Sequence, residues 1–197
     1  GKDREKKRNG KENGGENDNP ITNPIFYVIT TLGNAGWFWI VLAVLMLTVL
    51  PKKYKKAGLT MAIALILSLI FCNGIMKHLW ARPRAFWVVG QNFVVGNEFE
   101  NLYGIFNSIH DYSFPSGHSS ASFAAAVSIF MWRKKEGSAA LVLAALIAFS
   151  RLYFTVHYPT DVLVGTITGA LYGVAAYFIV KALMNKVPKL NAIFNKQ

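Results

Sequence analysis

The stretch FPSGHSSASFAAAVSIFMW, residues 114–132, joins two parts that seldom meet. Its second half is small and apolar, fit to lie inside a membrane. Its first half, Pro115-Ser116-Gly117-His118, sets polar groups at the mouth of that run. Polar and ionisable groups are costly in lipid and are kept there when they have a use. What decides the purpose of this tetrad is which other residues lie at the same depth.

Working outward, apolar stretches occur at residues 32–50, 59–80, 116–132, 139–154 and 162–183. Their lengths fall near the roughly 17–25 residues that a spanning helix needs. No period-2 alternation runs through them, which argues against a β-barrel. A chain that is 53% hydrophobic and 16% charged lacks the wet surface of a soluble domain. The expected fold is an all-α, polytopic membrane helix bundle with five crossings. Residues 21–31 are expected to form a short interfacial helix before the first.

Charge is concentrated where a membrane protein would place it. Residues 1–20 hold eleven charged side chains with no aromatic and no branched aliphatic residue, the composition of a disordered polar tail. They are set apart from an integral-membrane domain at 21–197. Lys52, Lys53, Lys55 and Lys56 follow the first stretch, Arg133, Lys134 and Lys135 the third, and Lys181, Lys186 and Lys189 the fifth. If each stretch crosses once, these clusters share one side, and the positive-inside rule makes it cytoplasmic. The tail then lies outside, its six Lys/Arg ending at Lys11, too far upstream for the rule to act. A net charge of +11 dispersed in this way does not describe a nucleic-acid-binding face. Cys72, the one cysteine, reads as a buried inert thiol. Trp37, Trp39 and Trp80 are expected at the outer interface and Trp132 at the inner one. Gly165, Gly169 and Gly173, with Ser119, Ser120, Ala121, Ser122 and Ala124–Ala126, read as faces for close helix packing.

The outward ends gather an unusual set. Lys77 closes the second stretch, with Arg82 and Arg84 just beyond. Ser116, Gly117 and His118 open the third. Arg151, His157 and Asp161 lie between the fourth and fifth. Several cations without matching acids suit a multiply charged anion, with Arg forks for phosphate oxygens and Lys as a point charge. A helix beginning at Ser116 adds backbone N–H groups and a favourable dipole, and Gly117 lets a ligand approach the backbone. Pro159 suits a first helical turn, so Asp161 can reach back to His157 and fix its tautomer. The set suits phosphoryl transfer: His157 attacks phosphorus and His118 protonates the leaving oxygen. Lys77, Arg84, Arg151 and the Ser116 and Gly117 donors hold the charge. Glu98 and Glu100 are paired but alone, so no catalytic metal and no cofactor are expected. His78 and His110, the latter beside Asp111, read as structural.

The pattern Lys77-x6-Arg84, Pro115-Ser116-Gly117-His118 and Ser150-Arg151-x5-His157-x3-Asp161 resembles the type 2 phosphatidic acid phosphatase family, within the acid phosphatase and vanadium haloperoxidase superfamily. The resemblance implies about five to six transmembrane helices with the active site at the outer membrane–water interface. It implies a metal-independent phosphatase working through a phosphohistidine, with His157 as nucleophile, His118 as acid and Asp161 as orienter. Lys77, Arg84, Ser116, Gly117 and Arg151 would bind phosphate. The family's first motif usually ends Arg-Pro. Here Ala85 follows Arg84, while Arg82-Pro83 carries the dipeptide at the wrong distance from Lys77. Spacing favours Arg84, and Arg82 remains a candidate to share its role.

The partners so implied are the bilayer and a lipid phosphate or diphosphate, with no nucleic acid. An undecaprenyl-diphosphate-like substrate of cell-wall lipid recycling leads, at a bacterial plasma membrane. Phosphatidylglycerophosphate, phosphatidic acid and diacylglycerol pyrophosphate are rivals, because these residues read phosphate and not the tail. A long loop at 85–114, with Phe86, Trp87, Phe93, Val94, Val95, Phe99 and Phe106, is expected on the lipid surface. A non-catalytic lipid-phosphate binder would need the cations but not the His157–Asp161 pair. A transporter would show an internal repeat or broken helices at mid-membrane.

Overall fold

A computed structural model describes residues 21–85 and 111–187. The polar tail, most of the aromatic loop, Glu98, Glu100, His110 and Lys189 fall outside the described residues. Within them every regular element is helical. Helix α1 is Thr22–Leu32; a 3₁₀ turn at Asn34–Gly36 leads into α2, Trp37–Thr48. Helix α3 runs through Lys52–Trp80, α4 is Gly117–Trp132, α5 is Lys134–Tyr153 and α6 is Pro159–Lys186.

Helix α4 is the hub, packed against α6, α5 and α3. Lipid tails are as apolar as leucine, so helices in a bilayer associate through close contact and hydrogen bonds rather than by hiding Leu. The small residues provide that contact. A Cβ placed on Gly165, Gly169 or Gly173 would stand 2.5, 2.3 or 2.9 Å from the carbonyl oxygens of Ser116, Ser120 and Ala124. The α6 backbone therefore rests directly on that of α4. Buried hydroxyls add hydrogen bonds: Ser68 meets Ser120 at 2.8 Å, and Trp39 Nε1 donates to Ser122 Oγ at 3.0 Å. The outward faces are apolar instead, with Val142 and Phe149 on α5 and Leu163, Ile167, Leu171 and Phe178 on α6 exposed. Such a surface is an aggregation hazard in water and the normal solvated surface in lipid.

Two expectations need correction. The run at 32–50 is not one straight span: it breaks at Gly33–Gly36, and the helices on either side are bent by 44°. Ala35 and Gly36 take positive φ, 48° and 69°, a conformation glycine adopts freely and alanine does not. Trp39 is no interface marker, since it is 1% exposed in the core beside Ala43, Met46, Met61 and Ile147. Among the described residues, three helices, α3, α5 and α6, are long and apolar enough to cross, or four if the bent pair is one span. Helix α4, with 16 residues, is short for a crossing and lies enclosed by its neighbours.

In α3 the residues Ser68–Met76 widen into π-helical turns. Such turns commonly mark functional positions. This one precedes Lys77, which is buried while Leu79 and Trp80 after it are exposed.

Candidate active site

The ends of α3, α4, α5 and α6 that lie away from the basic clusters converge on one cavity of about 750 Å³. Lys77, Arg84, Asp111, Gly117, His118, Arg151 and His157 line its polar end. Of the eight residues expected at the site, six therefore share this cavity. Ser116 and Asp161 stand behind its wall.

Ser116 is the N-cap of α4. Its Oγ accepts the Ser119 N–H at 3.4 Å and the Ser119 hydroxyl at 3.1 Å, while its own N–H donates to the Asp161 carbonyl at 3.0 Å. It is fully buried: its side chain caps the start of α4 and its backbone N–H ties that start to α6, and neither faces the cavity. Gly117 lies close against α3: a Cβ there would stand 2.7 Å from Asn73 Oδ1.

His157 sits on the turn between α5 and α6, where Thr155 has a φ of 54°. Its Nε2 faces Arg84 Nη1 at 3.3 Å. A guanidinium has no lone pair, so it donates and Nε2 accepts, which places the ring proton on Nδ1. Nδ1 in turn faces Ser113 Oγ at 3.3 Å and Asp161 Oδ2 at 3.5 Å. Ser113 donates to Asp161 Oδ2 at 2.5 Å. The carboxylate thus reaches the imidazole largely through a hydroxyl. Asp161 also accepts the Tyr158 N–H at 3.0 Å and the Arg82 guanidinium at 2.8 Å. Burial, aided by Arg151 and Arg84 and opposed by Asp161, pushes the His157 imidazole down to about 3. The ring is therefore neutral at physiological pH, with its lone pair toward the cavity.

The two candidate arginines part company. Arg84 is 3% exposed and lines the cavity. Arg82 lies outside, stacked on the Tyr158 ring at 3.8 Å and bonded to Thr160 and Asp161. Arg82 braces Asp161, and Arg84 faces the cavity. Arg151 is buried in the last turn of α5, where Nη1 donates to Thr30 Oγ1 on α1 at 2.6 Å. His78 is exposed on the outer side of α3, edge-on to Tyr112.

Four contributors were not singled out from the sequence. Asp111 bridges Lys77 and Arg84 with its two carboxylate oxygens. It holds both cations as a phosphate would. Burial raises its pKa, but Lys77 and Arg84 more than offset this and hold the carboxyl below its ordinary value. Ser113 carries the Asp161 contact, Thr30 anchors Arg151, and Asn34 Oδ1 lies 2.9 Å from His118 Nε2. One signal was available: Asp111 and Ser113 closely precede the Pro-Ser-Gly-His tetrad. Among the described residues, no group of three His, Cys, Asp or Glu side chains could hold a metal ion.

Away from the cations the cavity turns apolar. Ile40, Ala43, Val44 and Leu47 of α2 face Leu65, Ile66 and Leu69 of α3. A neutral histidine, a second histidine and three cations stand at the head of an apolar cleft. Residues 53–185 match the PAP2 superfamily, and the chain belongs to that family. It is 33% identical over 135 residues to a protein named putative undecaprenyl-diphosphatase YbjG from Escherichia coli strain K12, covering 68% of this chain and 62% of that one. It is 29% identical over 133 residues to an undecaprenyl-diphosphatase of Sulfolobus acidocaldarius, covering 67% and 58%. The chain thus spans about three fifths of the length of these curated relatives. The crystal structure of Aquifex aeolicus LpxE shares the fold, with a TM-score of 0.59 at 23% identity over 80% of this chain and 86% of that one.

Proposed function

We propose that this protein is an integral-membrane phosphatase that removes phosphate from a lipid phosphate or diphosphate through a phosphohistidine on His157. One observation carries the reading: a neutral imidazole, braced on its Nδ1 side, turns its Nε2 lone pair toward Arg84 in the cavity shared with His118. Nε2 attacks phosphorus, the bond from phosphorus to the leaving oxygen breaks, and protonated His118 gives that oxygen its proton. Water then attacks the phosphohistidine, losing a proton to His118. The P–N bond breaks, and inorganic phosphate leaves. Lys77, Arg84, Arg151 and the first-turn amides of α4 at Gly117 steady the phosphoryl oxygens. Asp161, through Ser113, stabilises positive charge on His157. No step calls for a metal ion.

The apolar cleft between α2 and α3 supports a lipid substrate, because it offers hydrocarbon walls next to the phosphate site. The similarity to two proteins named as undecaprenyl-diphosphatases favours a polyprenyl diphosphate over phosphatidylglycerophosphate or phosphatidic acid. The site lies at the opposite end of α3, α4, α5 and α6 from Lys52, Arg133, Lys134 and Lys186. By the positive-inside rule it faces the extracytoplasmic side of a bacterial plasma membrane. A non-catalytic binder would have no use for the bracing of His157.

The test is phosphate release in detergent with excess chelator, from undecaprenyl diphosphate, phosphatidylglycerophosphate and phosphatidic acid. Wild type is active with chelator present, and His157→Ala is not. Release unchanged in the variant, or abolished by chelator in wild type, rejects the mechanism.

A further inference from the structure

We infer that Asn34 is a positioning residue for His118, and that the break between α1 and α2 exists to place it. The inference rests on the function proposed above for the acid role, but its geometry stands independently. His118 Nε2 lies 2.9 Å from Asn34 Oδ1. A side-chain carbonyl oxygen only accepts, so Nε2 carries the ring proton and Nδ1 holds the lone pair. The acceptor serves in both charge states, because the imidazolium keeps the same Nε2–H. Nδ1 is thereby left as the single atom that takes and gives the travelling proton.

The surrounding backbone is shaped for this contact. A Cβ on Gly33 would stand 2.7 Å from His118 Cδ2 and 2.7 Å from Ile147 Cγ2, so the His118 ring lies directly against the break. Ala35 and Gly36, with positive φ, turn the chain sharply after Asn34. Trp37 Nε1 donates to the Thr31 carbonyl at 2.8 Å and ties the two sides of the break together. A continuous helix has no such opening for a histidine ring. The bend also brings α2 to the apolar cleft, whose lining includes Gly33, Asn34, Ala35 and Gly36.

Two readouts separate this role from a general structural one. An aryl phosphate such as p-nitrophenyl phosphate has a good leaving group and needs little protonation. An alkyl phosphate such as phosphatidic acid needs an acid. Asn34→Ala should lower the single-turnover rate of phosphoenzyme formation from phosphatidic acid about 10- to 100-fold and from p-nitrophenyl phosphate less than about threefold, because only the first step depends on protonation of the leaving group. Asn34→Asp, which keeps an acceptor oxygen, should hold the ratio of the two rates near wild type. Trp37→Phe, which disturbs the same break without touching His118, should leave that ratio unchanged. Equal losses on both substrates in Asn34→Ala overturn the inference while leaving the phosphatase reading intact. Wild type inactive on every phosphate ester rejects that reading instead. Imidazole ¹⁵N NMR then still decides the Asn34 contact. The His118 ring is the Nε2–H tautomer in wild type and a mixture in Asn34→Ala, and an Nδ1–H ring in wild type refutes it.

Discussion

His157 and His118 line the same cavity and are held by different means. His157 is braced from both sides: Arg84 at Nε2, and Ser113 with Asp161 at Nδ1, with Arg82 and the Tyr158 amide behind the carboxylate. His118 has, among the described residues, one polar contact of this kind, Asn34, reached across a break in another helix. The two rings also differ in tautomer: Nε2 carries the lone pair in His157, and Nδ1 carries it in His118. The difference matches the two tasks proposed for these rings, nucleophile and acid. A nucleophile forms a covalent bond along one line and gains from a fixed ring, whereas an acid must change charge twice per turnover.

The largest effect expected breaks the symmetry between the rings outright. His157→Gln should lower turnover on every substrate by about 10⁴-fold or more. Rapid acid quench with ³²P-labelled substrate should show no labelled protein. His118→Gln should instead accumulate label when the leaving group is good, because it can be phosphorylated but hydrolyses slowly. Label trapped equally in both variants would dissolve the assignment.

Next in size is the bracing itself. Asp161→Asn should reduce kcat about 10²- to 10³-fold, since the wrong tautomer of His157 becomes accessible. Arg82→Ala, which releases one side of that carboxylate, should cost about tenfold with KM little changed. A rise in KM with kcat unchanged would instead place Arg82 on the phosphate, as the displaced Arg-Pro dipeptide had allowed.

A smaller effect concerns pH. Lowering pH adds a proton to Nε2 of His157 and removes the lone pair proposed to attack phosphorus. An unperturbed histidine would be mostly protonated at pH 5. Burial first, then Arg151 and Arg84, against the opposing pull of Asp161, bring His157 to about 3. Imidazole ¹⁵N NMR should therefore find its ring neutral to roughly pH 4, the signal being assigned by its loss in His157→Gln. Protonation near pH 6 would mean that water reaches the ring far more freely than its 4% exposure allows.

Much of this arrangement was readable from residues alone, and the part that was not has a common cause. Apolar runs and basic turns announced the helical bundle, and the Gly165/Gly169/Gly173 row announced its closest contact. The three motifs located the cavity because cations and histidines cannot idle at a membrane edge. A separate helix before residue 32 was expected, but the positive φ at Ala35 and Gly36 that shapes the break was not. Hydropathy measures affinity for lipid and is blind to a positive φ. Trp39 misled for a related reason: its indole N–H is satisfied by Ser122 inside the protein, so it has no need of the interface. Ser116, Asn34 and Ser113 depend on which oxygen faces which nitrogen, and spacing along a chain does not encode that.

The smallest effect tests the carboxylate that, among the described residues, bridges Lys77 and Arg84. Asp111 is half-exposed, yet it bridges Lys77 and Arg84 and accepts from Arg84 Nε through its own carbonyl at 3.1 Å. Those two cations also line the cavity with His157, so an arriving phosphate and Asp111 compete for the same hydrogen bonds. Because Lys77 and Arg84 hold the carboxyl below its ordinary range, it is charged at neutral pH and competes fully. Asp111→Asn keeps the shape and removes the charge. Inorganic phosphate should then inhibit about three- to tenfold more tightly, as expected when a larger share of the protein is free to bind it. The opposite result, weaker inhibition, would show that Asp111 aligns Lys77 and Arg84 rather than occupying their place. The nucleophile would then be flanked by an acidic brace on each side, Asp161 through Ser113 and Asp111 through Arg84, and the contrast with His118 would widen.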